Sequence, residues 1–307
     1  MSTSKKIIFM GTPSYADTIL HALIDASDID IVAVYTQPDK PVGRKKVLTP
    51  PPVKETALKY NIPCFQPVSL KDEKSVEELV AIECDYIVVA AYGQILPKSI
   101  LDHAPSINLH ASILPQYRGA SPIQQSLLNG DTQTGVTAML MDEGLDTGAI
   151  IKIQKVTITK TMMAEELFNL LSDVAASLSV DVIRNYQQYS PVPQDESQAT
   201  YCKKITKADG LLDLHDDAQV LYNKYRAYTP WPGVYLESGI KLKQIKYSDI
   251  TYENKATKIV AIDKDHIVVA CAQGSLLIYK VQPKSKKEMD VSAYINGKRL
   301  QIEDSFL

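Results

Sequence analysis

Asn108 and His110 sit two residues apart in "SINLHAS" (106–112), a run whose other members suit a buried β-strand. On a strand the two share parity, so both side chains project to one face and Ser112 follows them. Polar groups on the same face of a buried strand need hydrogen bonds or a solvent-filled cleft. A histidine in such a place is often a satisfied core residue. The neighbouring amide opens a chemical reading, because its NH2 donates to a carbonyl oxygen while imidazole exchanges protons near neutral pH. "SILPQYRG" leaves the strand at once, which puts irregular backbone beside the pair and suits a small-molecule pocket.

An imidazole that moves protons needs a partner to orient it, and "MDEGLDTG" (141–148) supplies Asp142, Glu143 and Asp146. If the strand before this loop runs parallel to 106–112, the loop faces the end where His110 sits. Asn, His and Asp in that arrangement hold a carbonyl oxygen, shuttle a proton and position the shuttle. No cysteine is suitably placed and Ser112 lacks a GxSxG elbow, so direct transfer without a covalent enzyme intermediate is expected.

The elements that must position these residues follow from hydrophobic patterning. "KIIFMG" (6–11), "IDIVAVYT" (29–36), "YIVVAAYG" (86–93), "SINLHAS" (106–112) and "GVTAMLMD" (135–142) read as strands buried on both faces. "SYADTILHALIDA" (14–26) and "EKSVEELVAIE" (73–83) carry apolar residues at helical spacing between them. The alternation predicts an α/β fold, a Rossmann-like, mostly parallel sheet with helices on both faces. Ligands of such sheets bind beyond the carboxyl ends of the strands, where His110 is placed. Gly11 closes the first strand, but without GxGxxG or GxxxxGK[ST] around it the sequence gives a tight turn and no nucleotide-binding motif.

A long helix is expected over 162–187, and "QYSPVPQDESQAT" (188–200), proline-containing and poor in apolar residues, reads as a linker. After a short helical pattern at 216–228 and a Pro-Trp-Pro-Gly breaker come about five short strand patterns. These suggest a small antiparallel barrel or sandwich, the OB type among them. The expected division is therefore 1–189 for the catalytic domain, 190–206 for the linker and 207–307 for the second domain.

"TQPDKPVGRKKVLTPPPVK" (36–54) crowds prolines and basic residues around one acidic residue, Asp39. Prolines remove helix and ladder options, so a long semi-extended loop is expected, either simply solvated or contacting phosphates through Arg44, Lys45 and Lys46. Charge is also uneven. Residues 201–307 hold 17 Lys and Arg against 13 Asp and Glu, a net of +4 that leaves −7 for residues 1–200 of the overall −3. A basic second half suits a polyanionic partner, and equally a Lys-rich solvated surface.

Composition excludes several classes. At 307 residues, 45% hydrophobic and 22% charged, the chain reads as soluble and globular, long enough for two domains. The four cysteines form no CxxC, which argues against a zinc site or a disulfide framework and for a reducing cytoplasm. The apolar run near the N-terminus is too short for a signal peptide, and no run approaches a membrane span, so no membrane partner is expected.

Taken together, "NLHASILPQYRGASPIQ" and "TGVTAMLMDEGLDTGAI" resemble the folate-dependent formyltransferases, and "IIFMGTPSYA", "TQPDKPVGRKK" and "YRAYTPWPG" extend the resemblance essentially from residue 5 to the end. The resemblance implies a catalytic triplet of Asn108, His110 and Asp146. It implies that Ser112, Ile113, Leu114 and Pro115 contact 10-formyltetrahydrofolate, and that Gln94, Ile95 and Leu96 line the pterin pocket. It further implies methionyl-initiator tRNA as acceptor, met by Arg44 with Lys45 and Lys46, although Lys45 stands where the family commonly has glycine. No metal is implied, and a monomer is expected. Two rivals remain at this point: a formyltransferase for an amino sugar nucleotide, and a non-enzymatic RNA-binding module, which leaves Asn108 and His110 unexplained.

Overall fold

The computed structural model describes residues 4–43 and 45–307, so Arg44 lies outside the described residues. The chain divides into two compact units. The first takes residues up to Pro122 with Gln133–Thr157 and Phe168–Cys202; the second takes Ile123–Thr132, Ile158–Leu167 and Lys203–Leu307.

In chain order, β1 (Lys5–Gly11), α1 (Ser14–Asp25) and β2 (Ile29–Tyr35) precede a hairpin of β3 (Lys40–Val42) and β4 (Val47–Thr49). Then come α2 (Pro52–Lys59), β5 (Cys64–Phe65), α3 (Glu73–Val80), β6 (Tyr86–Ala90), α4 (Lys98–Leu101) and β7 (Ser106–His110). Next are β8 (Arg118–Gly119), α5 (Pro122–Leu128), β9 (Gln133–Leu140), β10 (Ile150–Thr157), α6 (Ala164–Asn185) and β11 (Tyr201–Cys202).

The central sheet has the order β10-β9-β7-β6-β1-β2-β5. Its strands from β7 to β5 run parallel, as expected for apolar runs covered on both faces. Ile8 and Met10, Ala33 and Tyr35, and Ile87 and Val89 alternate onto one face, where they pack with Leu79 of α3 and Ile100 of α4. On the other face Tyr15 of α1 meets Phe168 of α6 edge-on at 6.0 Å, and its hydroxyl donates to the Leu109 carbonyl at 3.2 Å. Full burial raises the Tyr15 phenol far above its ordinary range, which keeps it a neutral donor.

Two expectations are corrected. β9 is antiparallel to β7, with Ile107 opposite Leu140 and His110 opposite Thr137, so the loop after β9 starts beside the beginning of β7 and not at its carboxyl end. Strand direction leaves no mark in composition, and β10, an alternating edge strand, returns antiparallel to β9. The basic stretch is also more ordered than its prolines suggest: Pro41 pairs with Leu48 in the β3–β4 ladder, and Pro52 starts α2, a position where a missing N–H costs nothing. A two-stranded ribbon tolerates Pro41 because it has open edges.

The expected linker also has structure. β11 pairs in parallel with β8, and Val192 bridges Ile150, so residues of 190–202 bind to the first unit through their backbone.

The second unit contains α7 (Ala218–Tyr228), β12 (Val234–Tyr235), β13 (Lys241–Ser248), β14 (Ile259–Ile262), β15 (Ile267–Ala270), β16 (Ser275–Gln282), β17 (Met289–Asp290) and α8 (Val291–Lys298). Its antiparallel sheet runs β12-β13-β16-β15-β14, with β17 on β16. Closure into a barrel is not among the pairings of the described residues. Arg226, from "YRAYTPWPG", is buried and donates to the carbonyls of Thr159 and Met162 and to Asn223 Oδ1. That motif is thereby accounted for as the tie between α7 and the 158–167 segment.

Gly11 ends β1 for a steric reason. An added Cβ would lie 2.5 Å from Ala16 Cβ and 3.0 Å from the Ala90 carbonyl oxygen. Gly11→Ala should therefore cost about 1–3 kcal/mol through overpacking, read as a melting temperature lowered by several degrees. An unchanged melting temperature would show that the β1–α1 approach relaxes freely.

Candidate active site

The carboxyl ends of β1, β2 and β6 are tied together by short polar side chains. Thr12 Oγ1 and Gln37 Nε2 both donate to the Tyr92 carbonyl, at 3.1 and 3.2 Å. The sheet reverses its winding direction between β1 and β6, which is where α/β sheets open a crevice.

Beside that crevice the three expected residues converge. Asn108 Nδ2 donates to Asp146 Oδ1 at 3.3 Å, and His110 Nδ1 lies 3.6 Å from the same oxygen. Asn108 and His110 thus share a face, as their parity requires. His110 is only 6% exposed, and its Nε2 lies 2.9 Å from the Tyr117 carbonyl. A carbonyl only accepts, so Nε2 carries a hydrogen and Nδ1 is the nitrogen turned toward the carboxylate.

Asp146 reaches this place although its loop starts at the wrong end of β7. The loop doubles back, with Leu140 N donating to the Ala149 carbonyl and Asp146 itself in the left-handed region at φ 55°. That conformation is uncommon outside glycine, and aspartate is among the residues that tolerate it best. Asp146 Oδ2 accepts from the backbone N–H of Gly119 at 2.8 Å. Both carboxylate oxygens are therefore hydrogen-bonded in a nearly dry site, as buried polar groups must be.

The loop after β7 is held from within. Thr137 Oγ1 donates to the Ser112 carbonyl at 2.6 Å and accepts from Leu114 N at 3.1 Å. The hydroxyl of Ser112 donates to the Gln116 carbonyl, and Ser112 and Leu114 are buried. Ile113 and Pro115 are half-buried. Gln94 accepts from Leu70 N and donates to the Pro67 carbonyl, Leu96 sinks into the core, and Ile95 stays 78% exposed.

In the basic stretch Lys54 binds Asp39 at 2.8 Å, and Gln66 Nε2 donates to the same carboxylate. These hydrogen bonds, the lysine's first, hold the Asp39 carboxyl below its usual range. Lys45 and Lys46 remain exposed on the hairpin turn beside Gly43, with Val42, Val47 and Leu48 exposed next to them.

Sequence reasoning missed the support of this site. Arg118 is fully buried and pairs with Glu196, at 2.7 Å from Nη2 to Oε1 and 2.9 Å from Nη1 to Oε2. Gln194 lies between Arg118 and that loop. Both partners come from the stretch read as a linker, whose polar composition hides them. Among the described residues no group of three or more His, Cys, Asp or Glu is placed to hold a metal ion, and no helix is long and apolar enough to cross a membrane.

Comparison with known proteins gives this geometry a family. The formyl transferase family model matches residues 5–183, and the model of the formyl transferase C-terminal domain matches 204–299. A methionyl-tRNA formyltransferase of Sulfurimonas denitrificans is 58% identical over 98% of this chain and 99% of its own length. The chain belongs to the methionyl-tRNA formyltransferase family. The enzyme of the same name from Campylobacter jejuni (strain RM1221) is 51% identical, again over 98% of this chain and 99% of its own. Among solved structures, an N-formyltransferase from Helicobacter canadensis in complex with folinic acid and dTDP-3-aminofucose matches with a TM-score of 0.69 at 16% identity. That match covers 90% of this chain and 99% of the other, and it shows a shared fold.

Gly119 carries the backbone donor to Asp146 at φ 115°, and a Cβ there would come within 2.3 Å of the Cys202 carbonyl oxygen. Gly119→Ala should push β8 from β11 and carry that N–H off the carboxylate. The expected result is a rate of formyl transfer lowered roughly 10²-fold, the scale of a misplacement near 1 Å. A wild-type rate would show that this donor does not hold Asp146.

Proposed function

We propose that this chain transfers the formyl group of 10-formyltetrahydrofolate to the α-amine of methionyl-initiator tRNA, with Asn108, His110 and Asp146 as the catalytic residues. The observation that carries the reading is the convergence of Asn108 Nδ2 and His110 Nδ1 on one oxygen of Asp146, in a chain of this family. The folate supplies the formyl carbon that the amine attacks.

Asn108 uses one amide hydrogen on Asp146. Its second N–H is the donor for the oxygen that gains negative charge as the new C–N bond forms. His110 has Nε2 committed to the Tyr117 carbonyl, so Nδ1 takes the proton released by the attacking amine. Asp146, 3.6 Å away, balances the imidazolium until the proton passes to the departing folate nitrogen. The bond made is carbon to the amine, the bond broken is carbon to the folate nitrogen, and one proton moves between them.

Ile113, Pro115 and the exposed Ile95 supply apolar surface for the folate, while Ser112, Leu114, Gln94 and Leu96 shape the backbone beneath them. Arg44, with Lys45 and Lys46 of the hairpin turn, meets phosphates of the acceptor stem. The basic second domain, residues 207–307, binds the tRNA as an OB-type module after the 190–206 segment. Full-length relatives at about half identity or more carry the methionyl-tRNA name, whereas sugar enzymes match at the level of fold. The tRNA reading is therefore preferred over an amino sugar nucleotide.

Asn108→Ala or His110→Ala should lower the single-turnover rate about 10²–10³-fold with folding intact. Near-normal rates in either variant would refute the assigned roles. Exchanging Arg44 for Ala, or Lys45 and Lys46 together for Glu, should weaken tRNA binding and flatten its salt dependence, with folate binding unchanged. Equal losses on both substrates would remove the hairpin from the tRNA site.

A further inference from the structure

We propose that Gln194, oriented by Arg118, is a positioning residue for the transfer: it holds the backbone of Asp146 so that the carboxylate faces His110. The inference rests on the catalytic reading above and adds two residues to it.

Arg118 Nε and Nη2 both donate to Gln194 Oε1, at 3.1 and 2.8 Å. Arginine has no acceptor, so these bonds decide which end of the amide is oxygen. The NH2 must then face the other way. There it donates to the carbonyls of Asp146 and Gly148, at 2.9 and 2.8 Å. Both hydrogens of one amide are spent on the loop that carries the catalytic carboxylate, at the residue whose backbone is left-handed.

Arg118 is itself fixed. Nη1 and Nη2 also donate to Glu196, Nη1 reaches the Tyr201 hydroxyl at 3.4 Å, and the guanidinium carbon lies 6.0 Å from the centre of the Tyr201 ring. The bond to Arg118 holds the Glu196 carboxyl below its usual range. Glu196 is 66% exposed and Arg118 not at all, so a surface carboxylate anchors a buried cation that points inward. The three residues from Tyr117 to Gly119 thus serve the site in three ways: a carbonyl for His110, a guanidinium for Gln194, and an N–H for Asp146.

A residue that merely satisfies Arg118 and one that positions Asp146 make different demands at 194. Gln194→Glu keeps an acceptor for Arg118, now charged, but removes both donors to the loop. Gln194→Ala removes everything. The test is steady-state and single-turnover formylation of methionyl-tRNA with these two variants, Asp146→Asn, and Asp146→Asn combined with each, alongside thermal unfolding.

The expected result is a kcat lowered roughly 10–100-fold in both Gln194 variants, by misplacement of a reacting group. KM for folate and tRNA should stay within about twofold, the signature of an interaction that acts on the transition state. Gln194→Glu, which keeps the contact to Arg118, should lose less melting temperature than Gln194→Ala. In the Asp146→Asn background neither change should lower the residual rate further, because a residue acting through Asp146 has nothing left to position. If Gln194→Glu keeps full kcat, or if the losses multiply in the double variants, the inference is overturned. If Asp146→Asn alone runs at the wild-type rate, it is the catalytic reading that fails.

Discussion

A carboxylate held in a dry place is the constraint around which the site is built. Asp146 is almost enclosed, and an unpaired charge there would cost several kcal/mol. Its oxygens are accordingly taken by Asn108 Nδ2 and Gly119 N, and its carbonyl by Gln194. Each donor comes from a different part of the chain: β7, β8 and the stretch before β11. The carboxylate therefore acts as a template that collects these segments, and the same contacts that make it tolerable place it opposite His110.

The fold supplies the rigid side of this arrangement. β7 lies inside the sheet between β6 and β9, so Asn108 is fixed by ladders on both sides and His110 by its pairing with Thr137 of β9. Asp146 stands on a loop, and loops need bracing to place a side chain within fractions of an ångström. The bracing here is polar throughout, from Thr137 under the 112–114 turn to the Arg118–Gln194–Glu196 chain. Hydrogen bonds of this kind have direction, which apolar packing lacks, and direction is what a proton transfer requires.

Much of this was legible in the sequence, and the failures share a cause. Continuous Ile/Val runs gave the parallel strands, helical spacing gave α1, α3 and α6, and the parity of Asn108 and His110 gave their common face. Patterning reports what is buried, and it is blind to direction and to polar partnership. The antiparallel course of β9 has no compositional mark, so Asp146 was expected at the site by a path the chain does not take. The alternation in "IIKIQKVT" marks β10 as an edge strand, a signal that continuous apolar runs do not carry. Gln194 and Glu196 lie in a proline-flanked polar stretch that looks like a linker because its contacts are hydrogen bonds.

In the proposed mechanism the Tyr117 carbonyl keeps a hydrogen on Nε2 of His110, and Nδ1, facing Asp146, is the atom that takes the proton. The nitrogen-15 resonances of the imidazole, followed with pH in protein labelled at histidine and assigned against a His110→Gln variant, report this directly. The neutral ring should show a protonated Nε2 and an unprotonated Nδ1. A neutral ring protonated on Nδ1 would contradict the mechanism.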